Sequence, residues 1–150
     1  MSSGRLAALV LLPFACTRGS VQPSAVDTRN DSCTNCRMAV SDGRFAAQLA
    51  APGEEPKFFD DLGCLHDYLA KKPHLPIGTV AFVADHRSGA WVPASQAVFA
   101  RREMLETPMD SHLIAHADAS SRQADPAAAG GKSVSREEIF GPSGPPDGKP

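Results

Sequence analysis

The sequence predicts an α+β domain with small antiparallel sheets, built as strand, strand, helix, twice over. Three observations carry that expectation. Arg44-Phe45-Ala46-Ala47-Gln48-Leu49 alternates as a half-buried strand does. Leu62, Leu65 and Leu69 fall on one face of a helical stretch. A second apolar run, Val80-Ala81-Phe82-Val83, restarts the pattern after Thr79.

The elements follow in order. Pro52-Gly53-Glu54-Glu55-Pro56 makes a turn, and Lys57-Phe58-Phe59 a short second strand. Phe58 and Phe59 point to opposite sides of it. Asp60 or Asp61 caps the helix, which ends at Lys72 before Pro73. In the second round, Asp85 bounds the apolar run, Ser88-Gly89 turns the chain, and Ala90-Trp91-Val92 is a strand with Trp91 in or beside the core. Pro93 opens a short helix through Phe99. Leu113-Ile114-Ala115 is a further apolar stretch. A helix over 120–129 stops at Gly130-Gly131, and 136–140 forms a last helical turn.

The chain has 150 residues, enough for one domain. Its organisation reads as a leader over 1–16, a flexible tether over 17–31, a folded domain over 32–140 and a disordered tail over 141–150. Net charge is −2, without a basic stripe interleaved with aromatics, so no nucleic-acid partner is expected. Paired catalytic carboxylates, a serine triad and a phosphate loop are not evident, so the chain is not expected to be an enzyme.

Arg5 precedes an apolar run, Leu6 to Leu12, and Pro13-Phe14-Ala15-Cys16 follows. A charged start, a short apolar stretch and a small residue before the processing point describe an export signal. The run is shorter than the roughly 18–20 residues a spanning helix needs. Ala15-Cys16 resembles a bacterial lipobox, in which Cys16 becomes the lipidated first residue. That places the domain on the periplasmic side of a bacterial membrane, anchored to it by lipid, or free in the periplasm if the lipobox is not used.

With Cys16 set aside as an anchor, Cys33, Cys36 and Cys64 remain, an odd number that is not a disulfide framework. Cys33-Thr34-Asn35-Cys36 puts two sulfurs within reach of one ion or of each other. Haem attachment requires His where Arg37 stands, and is rejected. Thiol–disulfide exchange and a plain disulfide remain open. Zinc is open too, with Cys33, Cys36, Cys64 and His66 as a four-ligand set. Met38 favours Cu(I), because thioethers suit Cu(I) and not zinc, and it shares a side with Cys36 if the chain is extended there. Cys64 reads as a packed core thiol, with a reserve ligand as the alternative. His66, His74 and His86 read as surface residues.

The order of motifs resembles the NosL family of copper-binding lipoproteins. It runs from a lipoprotein-like leader through Asp31-Ser32-Cys33-Thr34-Asn35-Cys36-Arg37-Met38 and Lys57-Phe58-Phe59-Asp60-Asp61-Leu62-Gly63-Cys64. Ala90-Trp91-Val92-Pro93-Ala94, Ala97-Val98-Phe99, Thr107-Pro108-Met109 and Gly130-Gly131 before Phe140 complete it. The resemblance implies two small ββα-type units, similar to part of an organomercurial lyase. It implies carriage of Cu(I) to the maturation machinery of a copper enzyme, nitrous oxide reductase, or to the apo-enzyme itself. It carries over Cys33, Cys36, Met38 and Met109 as metal ligands. Gly usually stands in the family where Arg37 and Asp110 are. His112 and His116 replace a small residue and an aromatic. If 109–116 is a strand, they add further ligands beside Met109; otherwise they are exposed at a strand end. The rival readings are a thiol–disulfide oxidoreductase using Cys33 and Cys36, and a zinc-stapled interaction module.

Overall fold

The computed structural model describes residues 20–72 and 74–149. The leader and Cys16 lie outside the described residues. Within them the chain forms β1 (Ala47–Ala50), β2 (Lys57–Phe59), α1 (Leu62–Lys71), β3 (Val80–Ala84), β4 (Trp91–Pro93), β5 (Val98–Arg101), β6 (Leu113–His116), α2 (Ala119–Ala124), β7 (Lys132–Val134) and α3 (Arg136–Phe140). One sheet has the order β2-β1-β3-β4 and the other β6-β5-β7. Every pairing is antiparallel. The α+β class read from the sequence is the class observed.

Alternation along β1 decides what the first sheet buries. Ala47 and Leu49 join Phe59, Ala81 and Val83 in the main core, against Leu62 and Leu65 of α1. Phe99, Leu113 and Ala115 of the second sheet and Ile139 and Phe140 of α3 belong to the same cluster. The His86 amide, just past β3, donates to the Ala115 carbonyl of β6 at 2.9 Å. So one core is shared by both sheets, and the end of β3 is where they meet.

The other face of β1 is covered by the segment read as a tether. Gln48 is fully buried there and exchanges two hydrogen bonds with the backbone of Ser24, both 2.9 Å. Val26 packs on Val40, Ala46 and Phe58. Phe58 and Phe59 thus serve different clusters, as strand neighbours must. The Pro- and Gly-rich tail is likewise placed: the Ala81 amide donates to Pro146 and the Gly148 amide to Thr79, at 2.8 and 2.9 Å. Backbone pairing of this kind needs no apolar side chains, so composition does not announce it.

Two expected helices differ. Pro93 ends the edge strand β4, where a missing N–H is tolerated, and closes a single turn before β5 begins. The helix expected over 120–129 stops at Ala124. Pro126 disfavours helical backbone at the residue before it, and Asp125 adopts φ −94°, ψ 113°. A 3-10 turn follows at Pro126–Ala128.

Replacing Gln48 by Ala leaves the Ser24 amide and carbonyl unpaired beneath the segment. We expect a loss of about 1–3 kcal/mol in urea unfolding.

Candidate metal centre

Residues 31–40 form a tight hairpin. Ser32 bridges Ala39, the Cys33 amide donates to the Met38 carbonyl at 2.7 Å, and the Val40 amide donates to Asp31 at 3.0 Å. The tip closes through the Arg37 amide on the Cys33 carbonyl at 3.0 Å. The Thr34 amide fastens this hairpin to β2 through the Phe58 carbonyl, 2.7 Å away. Cys33 is thereby fully buried against the core and Cys36 half-buried beside it.

β2 runs directly into α1, and its two adjacent carboxylates separate in function. Asp61 caps the helix: its Oδ1 accepts from the Gly63 amide at 2.6 Å. Asp60, 1% exposed, faces the sulfurs, and Cys36 Sγ lies 3.5 Å from its Oδ2. In the first turn of α1, Cys64 completes the group. One ligand atom from each of Cys33, Cys36, Asp60 and Cys64 lies within 4.8 Å of the others. Among the described residues all three cysteines are free thiols.

Burial pushes the Cys33 thiol up, against opposing backbone hydrogen bonds. Burial also pushes the Cys64 thiol well above the ordinary thiol range, and the Asp60 carboxylate adds to it. Both thiols therefore hold their protons at neutral pH until a cation displaces them. The N-terminus of α1 adds favourable positive potential at the Cys64 sulfur once it ionises.

The Thr107-Pro108-Met109 segment comes to this same helix end. The Met109 amide donates to Asp61 Oδ2 at 3.1 Å. Gly63 makes the approach possible, since a Cβ there would meet the Ser111 Cβ at 2.9 Å. A cavity of about 290 Å³ lies between α1, α3 and this loop. Cys64 and Met109 both line it, with Asn35, His66 and Ile139. Met109 is 42% exposed.

The remaining residues singled out in the sequence divide. Met38 follows a turn, not an extended run, because Arg37 adopts φ 68°; its side chain is 55% exposed. His66 sits outside the four-atom cluster, with Nδ1 at 2.8 Å from the Ile139 carbonyl. Asp60 occupies the fourth place that His66 was expected to take for zinc. His112 is not in β6: it adopts φ 60°, and its Nδ1 is 2.8 Å from the Leu105 carbonyl. His116 is fully buried at the far end of β6, beside Asp125 and His86. His86, read as a surface residue, is 5% exposed, because the backbone bond to Ala115 draws it between the sheets. Asp60 was legible only as a cap candidate; that two carboxylates precede Cys64 was the available signal.

Three thiols and a carboxylate, gathered at a helix N-terminus on two antiparallel sheets, define a small metal-binding α+β protein. The chain belongs to the NosL family, whose model, NosL, matches residues 24–141. The family comprises accessory copper-binding proteins, periplasmic lipoproteins associated with copper delivery for nitrous oxide reductase, and is not a catalytic enzyme family. No curated protein and no solved structure matches the chain. Among the described residues no helix is long and apolar enough to cross a membrane.

Arg37 and Asp110 both adopt left-handed backbone, at φ 68° and 53°. These are the two positions where the family resemblance expects Gly, and Gly takes that conformation without a Cβ clash. Arg37→Gly should therefore keep the hairpin and its stability. Arg37→Val, β-branched at the same φ, should cost about 1–3 kcal/mol in urea unfolding and loosen the Cys33–Cys36 turn.

Proposed function

We propose that this protein is a Cu(I) metallochaperone that delivers copper for maturation of a copper enzyme, nitrous oxide reductase by its family. The observation that carries this reading is the buried sulfur cluster beside a cavity whose wall includes a further soft donor, Met109. Cu(I) prefers thiolate and thioether ligands. Cys33 and Cys36 bring the first two sulfurs, and Cys64, Met109 and Met38 are the sulfurs from which the rest of the set is drawn. Ionising every donor around a singly charged ion would bury a large uncompensated negative charge, which is costly. A low-coordinate site of two thiolates with thioether support avoids that cost. It also leaves room for an acceptor's ligand to enter before a donor's leaves. The partially exposed Met109 at the cavity wall suits such hand-over. Lipidation at Cys16 would hold this carrier on the periplasmic side of the membrane, beside the maturation machinery or the apo-enzyme.

Thiol–disulfide exchange needs an accessible thiolate with a lowered pKa. Cys33 is buried and its thiol is pushed up, which argues against that use. Zinc has one observation in its favour. Asp60 gives the cysteines an oxygen partner, and a four-donor set of this kind suits a borderline ion better than Cu(I). On the zinc reading, the metal co-purifies with the reduced protein and its chelation unfolds the domain.

Titration of the reduced protein with Cu(I) against a competing chelator separates these readings. The copper reading expects about one tight equivalent, abolished in Cys36→Ser and weakened roughly tenfold or more in Met109→Ala. Absence of competitive Cu(I) binding would sink it.

The sign of the pH effect also follows. The thiols that burial pushes up are protonated in the free protein, so each one that binds copper releases a proton. Affinity should rise with pH, by about tenfold per unit for each proton released. A flat profile between pH 6 and 8 would mean, by the same linkage, that thiols are not the ligands.

A further inference from the structure

We propose that His86, His116 and Asp125 form a second metal site, separate from the sulfur cluster, for a borderline divalent ion of the zinc class. The proposal does not rest on the copper reading.

The three residues come from three elements. His86 follows β3 and is held by its amide on the Ala115 carbonyl. His116 is the last residue of β6. Asp125 leaves α2 because Pro126 follows it, and this break aims its carboxylate inward. His86 Nδ1 lies 2.7 Å and His116 Nε2 2.9 Å from the same oxygen, Asp125 Oδ2. One atom from each residue lies within 4.8 Å of the others. Exposures are 5%, 0% and 6%.

Two imidazole nitrogens and one carboxylate oxygen are the donor set of three-ligand zinc sites, which keep a fourth position open. Ligand atoms around a tetrahedral ion stand somewhat farther apart than hydrogen-bonded ones, so closure on an ion needs only a slight opening of the triad. The surroundings suit a held site. Asp125 Oδ1 accepts from the Ala127 amide at 2.9 Å, fixing the carboxylate. The Phe45 ring, 4.9 Å from that of His86, covers one side. A cavity of about 360 Å³, lined by Asp125, Val98, Arg122 and Gly130, adjoins the triad on the Asp125 side.

The charge balance agrees. Burial works to raise the Asp125 carboxyl, but the hydrogen bonds from His116 and His86 outweigh it and hold it at about 2. A further carboxylate near His116, Asp85, is occupied by Ser121 Oγ at 2.7 Å, by Ser88 and by the Ala117 amide. His116 Nδ1 is buried without a hydrogen-bond partner. A buried imidazole with an unpaired nitrogen is costly where an apolar ring would pack. The ring therefore stands there for its Nε2 contact with Asp125 Oδ2.

The test uses the intact chain, reduced and anaerobic, with Co(II) as a spectroscopic stand-in for Zn(II). Sulfur-to-cobalt charge transfer in the near ultraviolet marks the thiol cluster; nitrogen and oxygen ligands give d–d bands alone. We expect a class of bound Co(II) with d–d bands and no charge transfer. His116→Phe, which fills the ring's volume, should weaken that class by more than roughly a hundredfold, the upper end of the loss that outer-sphere partners alone cause. The thiol class should not change. Zn(II) should move the ring 15N resonances of His86 Nδ1 and His116 Nε2 in the unsubstituted protein. The proposal is overturned if no sulfur-free class appears, if that class survives His116→Phe, or if saturating Zn(II) leaves both ring nitrogens unmoved. If His116→Phe does not fold, the two measurements on the unsubstituted protein decide alone.

Discussion

The Asp61 carboxylate fixes the geometry on which the sulfur cluster depends. One oxygen accepts from the Gly63 amide and starts α1 where Cys64 can face Cys33 and Cys36. The other accepts from the Met109 amide and brings a loop from 48 residues away to the same helix end. Both bonds run from backbone amides to one buried carboxyl group. Gly63 is the steric counterpart, because a Cβ there would push Ser111 and the loop outward. Removing either residue would separate the sulfurs on the hairpin from the sulfur on the loop without touching a ligand.

Legibility followed the range of the interaction. β2 and α1 were readable because local periodicity and one cap specify them, and the Phe58/Phe59 division followed from strand geometry alone. The strand read over 44–49 held only for Ala47–Leu49: Arg44 and Phe45 lie in a 3-10 turn capped by Asp42, and β1 is buried along its whole length. β5, read as the end of a helix from Pro93, and β7, not foreseen, are short strands defined by partners far along the chain. The segment before Cys33 and the tail after Phe140 looked unstructured by composition. They are ordered by Gln48 and by backbone pairing to β3 respectively. The site divided in the same way. Cys33 and Cys36 announced themselves by spacing; Cys64, read first as a packed core thiol, joins them only through the start of α1. Asp60 did not, because an Asp before a helix has a cap as its ordinary explanation. His86 and Asp125 were invisible because nothing in their neighbourhoods marks them. Only the meeting of β3, β6 and the Pro126 break assembles them.

The two clusters contrast chemically. The first is rich in sulfur, holds its protons tightly, and sits beside a cavity with a thioether on its wall. Those are the traits of a site that takes up a soft ion and releases it by exchange. The second has nitrogen and oxygen donors, is ionised at its carboxylate, and ties three elements together where the two sheets meet. Those are the traits of a site that holds what it binds. On the two proposals above, their separation in the fold would let one turn over cargo while the other braces the scaffold.

X-ray absorption at the copper edge, on the reduced protein loaded with Cu(I), tests the central claim most directly. The account predicts a first shell of sulfur alone. A shell dominated by nitrogen or oxygen would contradict it, because the copper would then lie away from the thiols gathered by the hairpin and α1.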